Sequence, residues 1–195
     1  METIGITKLN KTFGAHATAV LCDHIKQVET PRGSPRKFEV VKPLPTVEEY
    51  AKLRLAKYTT SVTGLAEDAF GAIECLKDEL QDWFDNLPES FQQGQKGDEL
   101  QEAISTLESV EQIDAPDCLA EHTTCFLPSL KIESRSDRAG EAASQLREVV
   151  EYCEGLLEGE NSGLTDDQKQ EVEEYKDGCD NACQEIENVS FPGMY

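Results

Sequence analysis

From Thr46 onward the chain follows a helical rhythm. Apolar residues recur at Val47, Tyr50, Ala51, Tyr58, Val62, Leu65, Ala66, Ala69, Phe70, Ile73, Leu76, Leu80, Trp83, Phe84 and Leu87, mostly three or four apart. That is the spacing of one helix face. Thr46-Val47-Glu48-Glu49 opens the run as a capping box, in which the threonine oxygen and the glutamate carboxylate satisfy backbone amides that have no partner inside the helix. Pro88 closes it. A continuous helix of about 40 residues would be about 60 Å long. Gly64 and Gly71 weaken it and mark where it can break or meet a neighbour closely.

Three shorter stripes follow. Asp98 can cap a helix with Leu100, Ala103, Ile104, Leu107 and Val110 on one face. Asp137 to Leu157 carries Ala142, Leu146, Val149, Val150, Cys153, Leu156 and Leu157, and Gly159 to Gly163 ends it. Thr165-Asp166-Asp167-Gln168 is a second capping box, opening a helix with Val172, Tyr175, Cys179, Cys183, Ile186 and Val189 inward. Short connections make neighbouring helices antiparallel. The expected fold is mainly α: helical hairpins or a bundle around a long central helix. Residues 114–134, with Pro116 and Pro128, read as an ordered loop.

Residues 1–45 lack that rhythm. Thr3-Ile4-Gly5-Ile6-Thr7 and Lys37-Phe38-Glu39-Val40-Val41 are β-rich pieces, separated by turn chemistry at Thr30-Pro31-Arg32-Gly33-Ser34-Pro35. Lys42-Pro43-Leu44-Pro45 blocks helix formation. This predicts an extended or small β N-terminal arm (1–45), a helical body (46–189) and an apolar tail (190–195) that folds back or docks on a partner.

Charge sharpens the division. Residues 1–60 hold ten Lys/Arg against six Asp/Glu, and residues 61–195 hold eight against thirty-three. A basic arm of about +4 thus precedes a body of about −25. Such a body repels nucleic acid and anionic lipid and attracts basic protein surfaces. The arm, with Lys26, Arg32, Arg36, Lys37 and Lys42, lacks aromatic interleaving, which disfavours direct nucleic-acid binding. It can instead dock on the chain's own acidic helices or on those of a neighbouring copy, making a homo-oligomer. No stretch approaches the roughly 20 apolar residues that cross a bilayer. Seven irregularly spaced cysteines make a poor disulfide framework. With no secretory pattern at the N-terminus, the expected compartment is the cytoplasm.

The chain carries no G-x-S-x-G, H-E-x-x-H, phosphate-loop or dinucleotide signature. His16, His24 and His122 are the only histidines, and no Glu-x-x-His pair suits a di-iron site. Neither a catalytic residue nor a cofactor is expected. The best metal candidates are Cys118-x-x-x-His122-x-x-Cys125 with Cys179-x-x-x-Cys183, because Zn²⁺ takes four sulfur or nitrogen ligands. Against them, the spacing is not that of common zinc knuckles, and Cys179 and Cys183 lie on an inward stripe where thiols pack as small hydrophobes.

Glu74, Asp78, Glu79, Asp82 and Asp85 lie opposite the apolar stripe, as a solvated face would have it. Glu74, Asp78, Asp82, Trp83, Asp85, Phe191 and Tyr195 are the partner-binding candidates, with Trp83 equally suited to the core.

Leu76-Lys77-Asp78-Glu79-Leu80-Gln81-Asp82-Trp83-Phe84-Asp85-Asn86-Leu87-Pro88-Glu89-Ser90-Phe91-Gln92, followed by Leu100 to Glu108, resembles the helix, W-x-D-N-L-P-E turn and helix of uncharacterised acidic helical proteins of tailed bacteriophages. The resemblance covers about residues 76–108. It implies a virus-encoded protein acting in a bacterial cytoplasm and carries no activity or site residue with it.

The expected function is therefore non-enzymatic binding to a protein partner with a basic surface. One alternative is a nucleic-acid mimic that inhibits a host DNA- or RNA-binding or defence protein. About 25 net charges over about 60 Å give one per about 2.4 Å, against one per about 1.7 Å of duplex axis. The other alternative is an enzyme with an unfamiliar site.

Overall fold

The computed structural model describes residues 3–159 and 163–193. The chain divides into two compact units, Met1–Thr59 and Thr60–Tyr195. This boundary lies beyond the Pro43/Pro45 stop and coincides with the change in charge, since every cation counted in the basic part precedes Thr59.

Unit 1 has its own core. Strands β1 (Thr3–Gly5), β2 (Ile25–Val28) and β3 (Lys37–Val40) form an antiparallel sheet in the order β1-β3-β2. Its register sets Ile4 against Phe38 and Ile25 against Val40. Helices α1 (Ile6–Phe13), α2 (Ala17–Val20) and α3 (Val47–Tyr58) complete the unit. Ile4, Leu9, Ala17, Val20, Leu21, Ile25, Phe38 and Tyr50 are buried together. The expected β pieces are present, but α1, α2 and β2 make the segment a folded α/β unit.

Helix α3 belongs to this unit and not to the helical body. Its Thr46 capping box forms as expected. Only Tyr50 is buried along α3, however, while Val47, Leu53 and Leu55 are exposed. The apolar stripe read continuously from Val47 is really two. Strand β4 (Thr59–Ser61) ends α3, and Ser61 caps α4 (Val62–Asp85) through the Gly64 amide. The uninterrupted 60 Å helix is therefore replaced by α4, whose 24 residues span about 36 Å.

In unit 2, α4 is followed by α5 (Glu89–Gln92), α6 (Gln95–Ser109), α7 (Arg135–Glu158) and α8 (Asp166–Asn188). Helix α7 packs against both α4 and α8, and α6 against α4 and α8. All the expected stripes from Val62 onward line one core. Leu76, Leu80, Leu100, Leu146, Val149 and Val172 are fully enclosed there. Thr165 forms its capping box. Helix α6 starts three residues before Asp98, with Gly94 as its N-cap, so Asp98 lies in the first turn. The loop expected at 114–134 contains a 3-10 turn (Asp117–Leu119) and β5 (Thr123–Cys125), which pairs with β4. Among the described residues no helix is long and apolar enough to cross a membrane.

Candidate functional site

Two features of unit 2 carry its surface chemistry. The first is a coat of carboxylates. On α4, Glu74, Asp78, Asp82 and Asp85 are all exposed, as the stripe predicts. On α8, Asp166, Asp167, Glu171, Glu173, Glu174, Asp177, Asp180 and Glu187 are exposed as well. Among the described residues of unit 2, only Glu79, Glu133, Asp177 and Glu187 form ion pairs with cations of the chain. Glu141 is the one buried carboxylate there, and it accepts the Ser129 amide with both oxygens at 3.0 and 3.1 Å.

The second feature is a cluster of cations at the Trp83 end. Glu79, placed by its sequence position on the solvated face, is instead half-exposed and engaged. Its two oxygens accept from both Nη atoms of Arg138 at 2.5 and 2.6 Å, and Arg135 Nε lies 3.6 Å away. The Arg138 hydrogen bonds hold the Glu79 carboxyl below its ordinary range, more than burial lifts it. The Arg135 guanidinium sits 4.9 Å from the Trp83 ring centroid and Lys96 Nζ 5.2 Å from it. Cations over an indole are worth about 0.5–1 kcal/mol each where exposed.

Trp83 is thus partly buried against the core, with Leu87 and Phe191 also packed there. The described part of the tail folds back: Lys96 donates to the Gly193 carbonyl. Tyr195 lies outside the described residues. A cavity of about 560 Å³ opens between this tail and the start of α7, lined by Glu79, Glu133, Ser134, Arg135, Ser136, Arg138, Phe191, Pro192 and Gly193. The role of Arg135 and Arg138 was not readable from spacing, because they meet Glu79 and Trp83 across more than 50 positions.

The structure distributes the five zinc candidates among different environments. His122 Nδ1 lies 2.7 Å from the Tyr152 hydroxyl, and the His122 carbonyl accepts the Val62 amide at 3.0 Å. Cys125 lies on β5 and Cys118 in the 3-10 turn, both half-buried. Cys183 donates to the Ala143 carbonyl at 3.4 Å and has Arg147 Nη2 at 3.7 Å. A guanidinium there competes with a metal cation. Burial pushes the Cys179 thiol up to about 12, where the thiolate that a metal binds is costly to form. Among the described residues no group of three or more His, Cys, Asp or Glu side chains is placed to hold a metal ion.

Compared with protein-family models, with curated proteins and with solved structures, the chain matches none.

Proposed function

We propose that the protein acts by binding a protein partner with a basic surface through the carboxylates of unit 2. The observation that carries this reading is the small number of internal counter-ions. Along α8, six of the exposed acids named above form no ion pair, over a helix of 23 residues that spans about 34 Å. Unmatched like charges repel one another, at a cost to the folded state. A complementary cationic surface removes that repulsion and speeds encounter. The resemblance of residues 76–108 to tailed-phage proteins supports a bacterial cytoplasm as the setting, and with it a host factor or a virion component as the partner.

The alternative of nucleic-acid mimicry places the same carboxylates in the phosphate-binding site of a host protein. The experiment that separates the two immobilises the full chain and challenges it with bacterial lysate, eluting once with salt and once with competing duplex DNA. Release of a basic protein by salt alone supports the first reading, and release of that protein by DNA as well supports mimicry. The quadruple variant Glu173→Gln, Glu174→Gln, Asp177→Asn, Asp180→Asn should lose the captured protein in either case. Retention by that variant at unchanged salt sensitivity refutes both.

A further inference from the structure

The Trp83 end of unit 2 reverses the chemistry of the rest of that unit. Lys96, Arg135 and Arg138 are three of only eight cations in residues 61–195, and they gather around one aromatic ring and one carboxylate. Glu79 is shared between both arginines, so the group retains positive charge. Glu133, which also lines the cavity, is paired with Lys131 at 3.0 Å.

Arg135 is the member left incomplete. Its Nε is buried and has no hydrogen-bond partner. The ion-pair distance to Glu79, 3.6 Å, is too long for one. Sealed from solvent, Nε cannot reach a ligand either, so donation into the cavity falls to the two Nη atoms, for which no hydrogen bond is found among the described residues. The side chain is also held in place, being only 22% exposed and stacked on Trp83. A fixed guanidinium presents a planar fork that matches two oxygens of one group.

The cavity supplies the remaining contacts. Ser134 and Ser136 give it a polar rim, and Phe191 and Pro192 give it an apolar wall. Its volume of about 560 Å³ falls within the range of small-ligand sites. We propose that this cavity binds a small organic carboxylate, with Arg135 as the principal donor, Arg138 contributing charge, and the Phe191–Pro192 wall taking the apolar part. The proposal is independent of the partner-binding reading, since it uses none of the carboxylates of α8.

Trp83 is the sole tryptophan of the chain and lies against Arg135, so its fluorescence reports on the site directly. The test titrates the full-length protein at constant ionic strength with benzoate, with its neutral isostere benzamide, and with inorganic phosphate. Expected is a saturable benzoate response with a dissociation constant of about 1 mM, the level that one charge-assisted fork and a small apolar contact reach. Benzamide should give no saturable response, and Arg135→Met should weaken benzoate at least about tenfold, the factor equivalent to about 1.4 kcal/mol. Arg135→Lys keeps the charge but lacks the fork, and it should also weaken benzoate. It keeps the test decisive if Arg135→Met fails to fold. No saturable benzoate response, an equal response to benzamide, unchanged affinity in the folded arginine variants, or binding of phosphate in place of benzoate would each overturn the proposal.

Discussion

Gly97→Ala and Gly71→Ala are the same change made in two helices of one unit, and the structure assigns them opposite signs. By helix propensity alone, both should stabilise by up to about 1 kcal/mol, because glycine in a helix forfeits more chain entropy than alanine. Gly71 lies on the exposed face of α4, and a methyl group there meets nothing within 4 Å. It should realise most of that gain. Gly97 lies buried in the first turn of α6, pressed onto the turn made by α5. A Cβ there would fall 1.9 Å from the Gln92 carbonyl oxygen, 2.6 Å from its carbon and 2.8 Å from its Cα. These are backbone atoms, which cannot rotate away as a side chain can. Separating the closest pair to even 3.0 Å moves the α5 turn by about 1 Å. Overpacking of this kind costs about 1–3 kcal/mol. Set against a propensity gain that is smaller at a helix start, Gly97→Ala should destabilise by about 1–2 kcal/mol.

For a unit of this size each kcal/mol moves Tm by roughly 3–5 °C. The two variants should therefore flank the parent, Gly97→Ala several degrees below it and Gly71→Ala a few degrees above. Thermal and urea unfolding followed by far-ultraviolet circular dichroism read this directly, with an unchanged m-value showing that stability alone has altered. A Gly97→Ala protein as stable as the parent would refute the close approach of α5 and α6.

Three further outcomes follow from the packing and the titrating groups. Cys22 and Cys75 are exposed, whereas burial pushes Cys153 up to about 11 and Cys179 up to about 12, so iodoacetamide at mildly alkaline pH should label the first two in the native state and the second two only after unfolding, as peptide mass spectrometry will show. Ser134→Ala and Thr165→Ala each remove a capping-box oxygen and should each lower stability by about 1 kcal/mol in urea unfolding. Glu79 is held below its ordinary 4.5 by Arg138, so its contribution is present above pH 4.5 and is lost as pH falls through the lowered value; the stability difference between parent and Glu79→Gln should shrink on acidification over that window, and a constant difference would contradict the assignment.

The helical stripes of unit 2 were legible because each segment from Val62 onward buries one face against a common core, which is what a period near 3.6 encodes. The Thr46 and Thr165 boxes were legible because their carboxylate or amide stands at the standard third position. The equivalent box at Ser134 carries a weaker signal, since Asp137 replaces the usual glutamate, and the helix starts at Arg135, two residues before the expected Asp137. The break at Thr59–Ser61 is hidden from local spacing for a different reason. Its strand is stabilised by β5, more than 60 residues away, and local spacing carries no record of such a partner. Unit 1 leaves a faint trace in the sequence because α1 is only eight residues long, has no side-chain cap, and its neighbours alternate only briefly. At the candidate site, Trp83 and the acids of α4 were visible as residues. The fork that Arg135 and Arg138 make with Glu79 exists only after α4 and α7 have packed.

Three of the long helices, α3, α7 and α8, begin on reciprocal side-chain bonds made wholly among adjacent residues. Each start is thus written into a four-residue word that consults nothing distant. When α7 and α8 slide together, their first turns are already fixed, and the alignment of one apolar seam with the other follows from counting along each helix. Substitutions within the seam can loosen that fit while leaving the numbering of the helices in place.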